Sequence, residues 1–136
     1  MKLIKFLLLL SITTTTVFAQ NYKDFAKEMD YEIRYDIALE KAKAQKKDIM
    51  FVLVTNYCPW CRKFEKRALK ADAVSTIIQE KYIPLIINRE EHNFPKKFDS
   101  ARIPVTYFVN YKNEQIEEKV LGYKGKNDFL EVLKKN

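Results

Sequence analysis

The run Asp48-Ile-Met-Phe-Val-Leu-Val-Thr55 is apolar almost throughout, breaks at Asn56-Tyr57 and leads directly into Cys58-Pro59-Trp60-Cys61. An unbroken run rich in branched residues, of that length, fits a strand buried on both faces, as at the centre of a parallel sheet. Residues 62–71 contain no helix breaker. Proline suits a first helical turn, where its missing N–H would have no partner in any case. The segment therefore predicts strand, turn and helix in succession, with the cysteines at the helix N-terminus.

No other cysteine occurs in the 136 residues. A secreted scaffold held by disulfides spaces several cysteines along its chain. Loop-closure entropy gives a ring as small as this one about 2 kcal/mol, against about 3 for a 15-residue loop. A redox role is favoured over a staple. The unpaired N–H groups and macrodipole at a helix N-terminus favour negative charge, so a thiolate placed there is stabilised and its pKa falls below the free value of about 8.5. Cys58, at the exposed start, is the expected nucleophile. Cys61, one turn further in, is the expected resolving thiol that attacks the mixed disulfide and releases the partner. Zinc wants four ligands, and the chain adds only His92 to its two cysteines. Haem attachment would need histidine where Arg62 stands. No metal or other cofactor is expected, and His92, in a polar loop, reads as a surface residue.

The rest of the chain supplies the surrounding layers. Residues 21–30 read as a polar and aromatic lead-in, and 31–45 as an amphipathic helix, since Ile33, Ile37 and Ala44 with Tyr35, Ala38 and Ala42 recur at three- and four-residue spacings. Asp72–Lys81 is a further helix with Asp72 as its expected N-cap. Tyr82–Asn88 is a second apolar strand, and Pro84 implies that it starts after the proline or lies at a sheet edge. Residues 89–102 are polar, with one short helix expected around Phe94 and Phe98. Residues 105–110 and Ile116–Leu121 are close enough to form an antiparallel hairpin, and Lys126–Lys135 closes the chain as a helix on the face of Phe129, Leu130 and Leu133. This order predicts an α/β layer fold with a mixed sheet in a single domain over residues 20–136.

The first residues differ in kind. Lys2 and Lys5 precede the apolar run 6–12, then come a polar threonine stretch and Val17-Phe18-Ala19, the order of a signal peptide cut after Ala19. The apolar core is far shorter than the roughly 20 residues of a spanning helix. Export to the periplasm or an equivalent oxidising compartment is expected. Loss of two lysines lowers the net charge from +7 to +5, and the remaining lysines alternate with acids. That pattern suits solvated helix faces and argues against nucleic acid as a partner.

With Tyr57-Cys58-Pro59-Trp60-Cys61 behind an apolar strand, Ile103-Pro104-Val105-Thr106 opening a later one, and Gly122-x-x-Gly125 before the last helix, the chain resembles the thioredoxin superfamily over nearly all of residues 20–136. Within it, the run Cys61-Arg-Lys-Phe-Glu65 and the helix near Asp72 are similar to exported thioredoxin-like proteins and to the C-terminal domain of the thiol carrier DsbD. The resemblance implies a thioredoxin-like fold, a central mixed sheet flanked by helices with an extra N-terminal helix. It also implies a cis-proline at Pro104 facing the cysteines, with the Ile103 backbone offering hydrogen bonds to a partner strand. Glu65 matches an acidic residue near the thiols, a candidate to exchange the proton of Cys61, with a surface helix acid as the other reading. Two positions depart from the pattern. Val52 stands where thioredoxins carry a buried aspartate, and Val105 follows the cis-proline where threonine is common. Pro59-Trp60 stands between the cysteines where the family's usual pair is Gly-Pro, and Trp60 packs either on a partner or on its own domain.

The leading expectation is a thiol–disulfide oxidoreductase that reduces disulfides of other cysteine-containing exported proteins, recharged by a membrane thiol carrier and acting as a monomer. A dithiol oxidase, a redox-gated binding or chaperone module and a maturation factor for one client stand beside it. The absence of an inserted helical domain favours reduction over oxidation.

Overall fold

The structure is a computed structural model and describes residues 21–136, so the expected signal segment 1–19 lies outside it. Helix α1 spans Tyr22–Met29, α2 Tyr35–Gln45, strand β1 Asp48–Val54 and helix α3 Pro59–Phe64. Helix α4 covers Asp72–Lys81, strand β2 Tyr82–Asn88, β3 Val105–Val109, β4 Ile116–Leu121 and helix α5 Lys126–Lys135. The strands lie in the order β2-β1-β3-β4. β1 and β2 are parallel, β3 runs antiparallel to β1, and β4 antiparallel to β3.

β1 is apolar throughout because both faces of the sheet are covered. Met50, Val52 and Val54 pack in one core with residues of α1, α3, α4 and α5, among them Phe25, Cys61, Ile78 and Phe129. Ile49, Phe51 and Leu53 pack in the other with Tyr35 and Ala38 of α2, and with Phe98. The alternation is the period-two projection of side chains from a strand. β2 lies at the sheet edge, one of the two places that Pro84 allowed. Its outer side is bridged by Glu32, whose N–H donates to the Pro84 carbonyl and whose own carbonyl accepts from Ile86, both at 2.9 Å. Proline therefore sits where its absent N–H costs no bond to β1.

Several boundaries differ from the sequence reading. The lead-in 21–30 is largely helix α1, capped by the Asn21 side chain, which accepts from the N–H groups of Lys23 and Asp24. The helix expected from residue 31 begins only at Tyr35, because Glu32 is drawn onto the edge of β2. Ala71, rather than Asp72, occupies the N-cap of α4, and Asp72 opens the helix. The polar stretch after β2 holds two short 3₁₀ turns, Arg89–Glu91 and Lys96–Phe98. Past α3 the helix widens into a π turn over Glu65–Leu69, closed by Lys70 N–H on the Glu65 carbonyl at 3.0 Å.

Candidate active site

Register brings the sequence-predicted site residues to one end of the sheet. Val54 pairs with Asn88, so the parallel strands β1 and β2 end together, and Leu53 pairs with Val105. The loop leaving β1 and the residues preceding β3 are thereby neighbours. β4 finishes at the same end of the sheet, where the N–H of Gly122 donates to the Pro104 carbonyl at 2.8 Å. Gly122 takes φ +77°, a left-handed conformation that glycine adopts without a Cβ penalty.

Cys58 is the N-cap of α3 and Pro59 its first residue. The cysteines form a disulfide with Cα atoms 5.2 Å apart. Cys58 Sγ accepts from the Cys61 backbone N–H at 3.1 Å, the bond that would hold a thiolate after reduction. The two sulfurs differ in access. Cys61 is wholly buried, 0% exposed, in the core beneath the helix, whereas Cys58 is only partly covered. A partner's sulfur therefore meets Cys58 first.

Ile103–Pro104 is a cis peptide bond. The N–H and C=O of Ile103 make no hydrogen bond among the described residues, so an extended chain laid alongside finds both open. Tyr57, directly before the cysteine, is fully exposed at φ 52°. Trp60 is 55% exposed, yet its ring lies 5.7 Å from that of Tyr123, with Lys63 Nζ 4.6 Å above Trp60 and 5.1 Å above Tyr123. Of its two readings, packing on its own domain holds, although the ring stays half exposed. Tyr123 escaped the sequence reading, although its place beside Gly122 in the glycine-flanked turn was the available signal.

Glu65 is 4% exposed, so the reading as a surface acid fails. Its Oε2 lies 2.8 Å from Arg62 Nε, and its Oε1 has no hydrogen-bond partner among the described residues. Burial pushes its pKa up to about 7 against the pull of Arg62, Lys70 and Lys66. The Tyr31 hydroxyl is buried and unpartnered too, and is raised first by burial and then by the Glu65 charge. Val52, where an acid was absent from the sequence, is fully buried. Glu65 is thus the buried carboxyl on the helix that carries the cysteines. His92 lies exposed at the end of a 3₁₀ turn, and no cluster of three or more His, Cys, Asp or Glu able to hold a metal occurs among the described residues.

A carboxyl whose pKa rises on folding binds its proton more tightly in the native state. Its effect on stability is nil below the ordinary value of 4.5 and turns unfavourable as pH climbs toward 7. Glu65→Gln keeps an oxygen for Arg62 but does not ionise. The variant should gain about 3 kcal/mol on wild type across that window, measured by urea unfolding at its two ends. Parallel stability curves would contradict the buried charge.

A profile of the thioredoxin-like family matches residues 30–110. Among solved structures, a thioredoxin from Thermus thermophilus superposes with a TM-score of 0.68 at 18% identity, covering 77% of this chain and 85% of that one. An oxidoreductase named DsbH gives 0.66 at 14% identity, covering 76% and 81%. The reduced C-terminal domain of DsbD from Neisseria meningitidis gives 0.62 at 17% identity, covering 74% and 92%. No curated protein matches the sequence.

Proposed function

The chain belongs to the thioredoxin-like family, and from that premise we propose that it is an exported thiol–disulfide oxidoreductase that reduces disulfides of other exported proteins. The observation that carries the proposal is the asymmetry of the disulfide. One sulfur caps a helix at the surface and the other lies in the core beneath it.

In the reducing direction the Cys58 thiolate attacks one sulfur of a client disulfide. The client S–S bond breaks, its second sulfur leaves as a thiolate and takes a proton, and Cys58 is joined to the client. Cys61 gives its proton to the Glu65 carboxylate and attacks Cys58 Sγ, which frees the client as a dithiol and re-forms the Cys58–Cys61 disulfide. A carboxyl that titrates near 7 is matched to that transfer at neutral pH. Two electrons must then come from a second dithiol, for which a membrane thiol carrier is the fitting donor. The open backbone of Ile103 supports an extended segment as the client's form during the exchange. Export rests on the signal pattern of residues 1–19, and the protein acts as a monomer.

Direction follows from potential. Relatives span about −270 mV for thioredoxin to about −120 mV for DsbA, a range worth roughly 7 kcal/mol for two electrons. Equilibration of the Cys58–Cys61 pair against glutathione should give a value below about −200 mV. One near −120 mV would make the protein a dithiol oxidase.

A further inference from the structure

A cavity of about 630 Å³ opens beside Cys58, within the range that holds small ligands or peptide side chains. Neither Ile103 nor Pro104 lines it. Sheet order explains the separation. Cys58 follows β1, the cavity reaches Asn88 at the end of β2, and Ile103–Pro104 precedes β3 on the other side of β1. The reactive sulfur thus stands between two surfaces, of which the mechanism above uses one.

The cavity's apolar walls are Tyr22, Tyr57 and Pro59, and its polar lining is unusual in what it leaves unused. Asn88 Oδ1 accepts from the Glu90 backbone N–H at 3.0 Å, which fixes the orientation of that amide. Its Nδ2 therefore donates to Asn56 Oδ1, at 2.7 Å. The oxygen of Asn56 is thereby committed, and its NH₂ group is left without an acceptor among the described residues. Asn21 repeats the arrangement, because its Oδ1 caps α1 at 2.7 and 3.2 Å and its NH₂ group has no acceptor there either. No carboxylate lines the cavity, and Arg62, its one charged residue, faces Glu65. The Oδ1 atoms of Asn21, Asn56 and Asn88 are consumed within the fold, and the NH₂ groups of Asn21 and Asn56 remain.

We propose that this cavity is a second client subsite, in which Asn21 and Asn56 donate N–H groups to the backbone carbonyls of the polypeptide flanking the client's cysteine. The inference rests on the oxidoreductase reading and deepens it. An extended chain brings carbonyl oxygens within a residue of its cysteine sulfur, and the apolar walls accept an uncharged side chain beside them. Ile103 engages the client on one side of Cys58 and the cavity on the other.

The double variant Asn21→Asp, Asn56→Asp tests this with little cost to the fold. Aspartate remains a good N-cap, and it keeps an oxygen for Asn88 while turning each spare donor into an acceptor. The rate constant of the reduced protein is measured with a disulfide-linked pair of ten-residue peptides, with oxidised glutathione and with hydroxyethyl disulfide, which has no carbonyl. The ratio of peptide to hydroxyethyl rates should fall about tenfold, the weight of a lost hydrogen bond or two, whatever the added charge does to Cys58 itself. A ratio within twofold of wild type overturns the subsite. So does a loss confined to glutathione, which would make the cavity a site for a small thiol. Wild-type protein that exchanges with none of the three disulfides removes the oxidoreductase reading on which the subsite depends.

Discussion

Cys58→Ser should abolish disulfide exchange, lowering the rate of insulin reduction at least about a thousandfold, to the background set by the reductant alone. The size of the loss follows from how the two sulfurs are placed. A serine hydroxyl forms no mixed disulfide, and loss of a covalent nucleophile typically removes several orders of magnitude of rate. Cys61 is no substitute, because it is fully buried beneath α3 and has no path to a partner's sulfur. The variant should nevertheless fold. Serine is a favoured N-cap, and its Oγ can accept the Cys61 N–H that Cys58 Sγ accepts in the native chain. Loss of activity with an unchanged circular dichroism spectrum is the expected pair of results. The same variant separates enzyme from binding module, since a protein that holds clients without turnover would keep its client affinity and have no activity to lose. Residual exchange above about a hundredth of wild type would mean that Cys61 reaches solvent, and the order of attack would have to be reversed.

The parts of this site legible in the sequence are those fixed by short-range rules. A strand-length apolar run, a break, a cysteine pair and a proline at the first helical position are local signals, and β1 and α3 form where they point. Pro84 announced an edge strand for a local reason too, since a missing N–H is tolerable only there. What escaped depends on contacts between distant residues. Nothing near Glu32 reveals that it bridges the far side of β2, so the helical pattern from residue 31 overruns the true start at Tyr35. Helix α1 was readable in principle from Asn21 followed by Tyr22, Phe25 and Ala26 on one face, but its length is close to the minimum that patterning resolves. Glu65 is the instructive case. Its place four residues after Cys61 suggested proximity to the thiols, whereas its burial comes from the cover that α1 and the segment around Tyr31 lay over that side of the sheet. The amide relay from Glu90 through Asn88 to Asn56 crosses 32 residues of sequence and has no local signature at all.

Cys61→Ala should convert a transient intermediate into one that is recovered. Attack by Cys58 is unaffected in chemistry, so the mixed disulfide with a client still forms, but the thiol that would break it is gone. In the native chain the resolving sulfur is only 5.2 Å away between Cα atoms and is delivered by the same helix, an intramolecular arrangement whose effective concentration no external thiol approaches. Without it, release waits on uncatalysed exchange, which takes minutes to hours. Disulfide-linked adducts should therefore accumulate on non-reducing gels, disappear with dithiothreitol, and be absent when Cys58→Ser is added. The replacement costs little packing, since alanine removes one sulfur atom from a large core that also holds Phe64, Val52 and Ile78. The adducts also decide among the functional readings by their number. Many different clients imply a general reductase, and one dominant client implies a dedicated maturation factor. Adducts should be most abundant with oxidised clients and reduced protein, because the attack consumes a client disulfide. If instead the wild-type protein in its Cys58–Cys61 disulfide form oxidises reduced clients, and the variant forms no adduct with oxidised ones, electrons flow the other way and the protein is a dithiol oxidase.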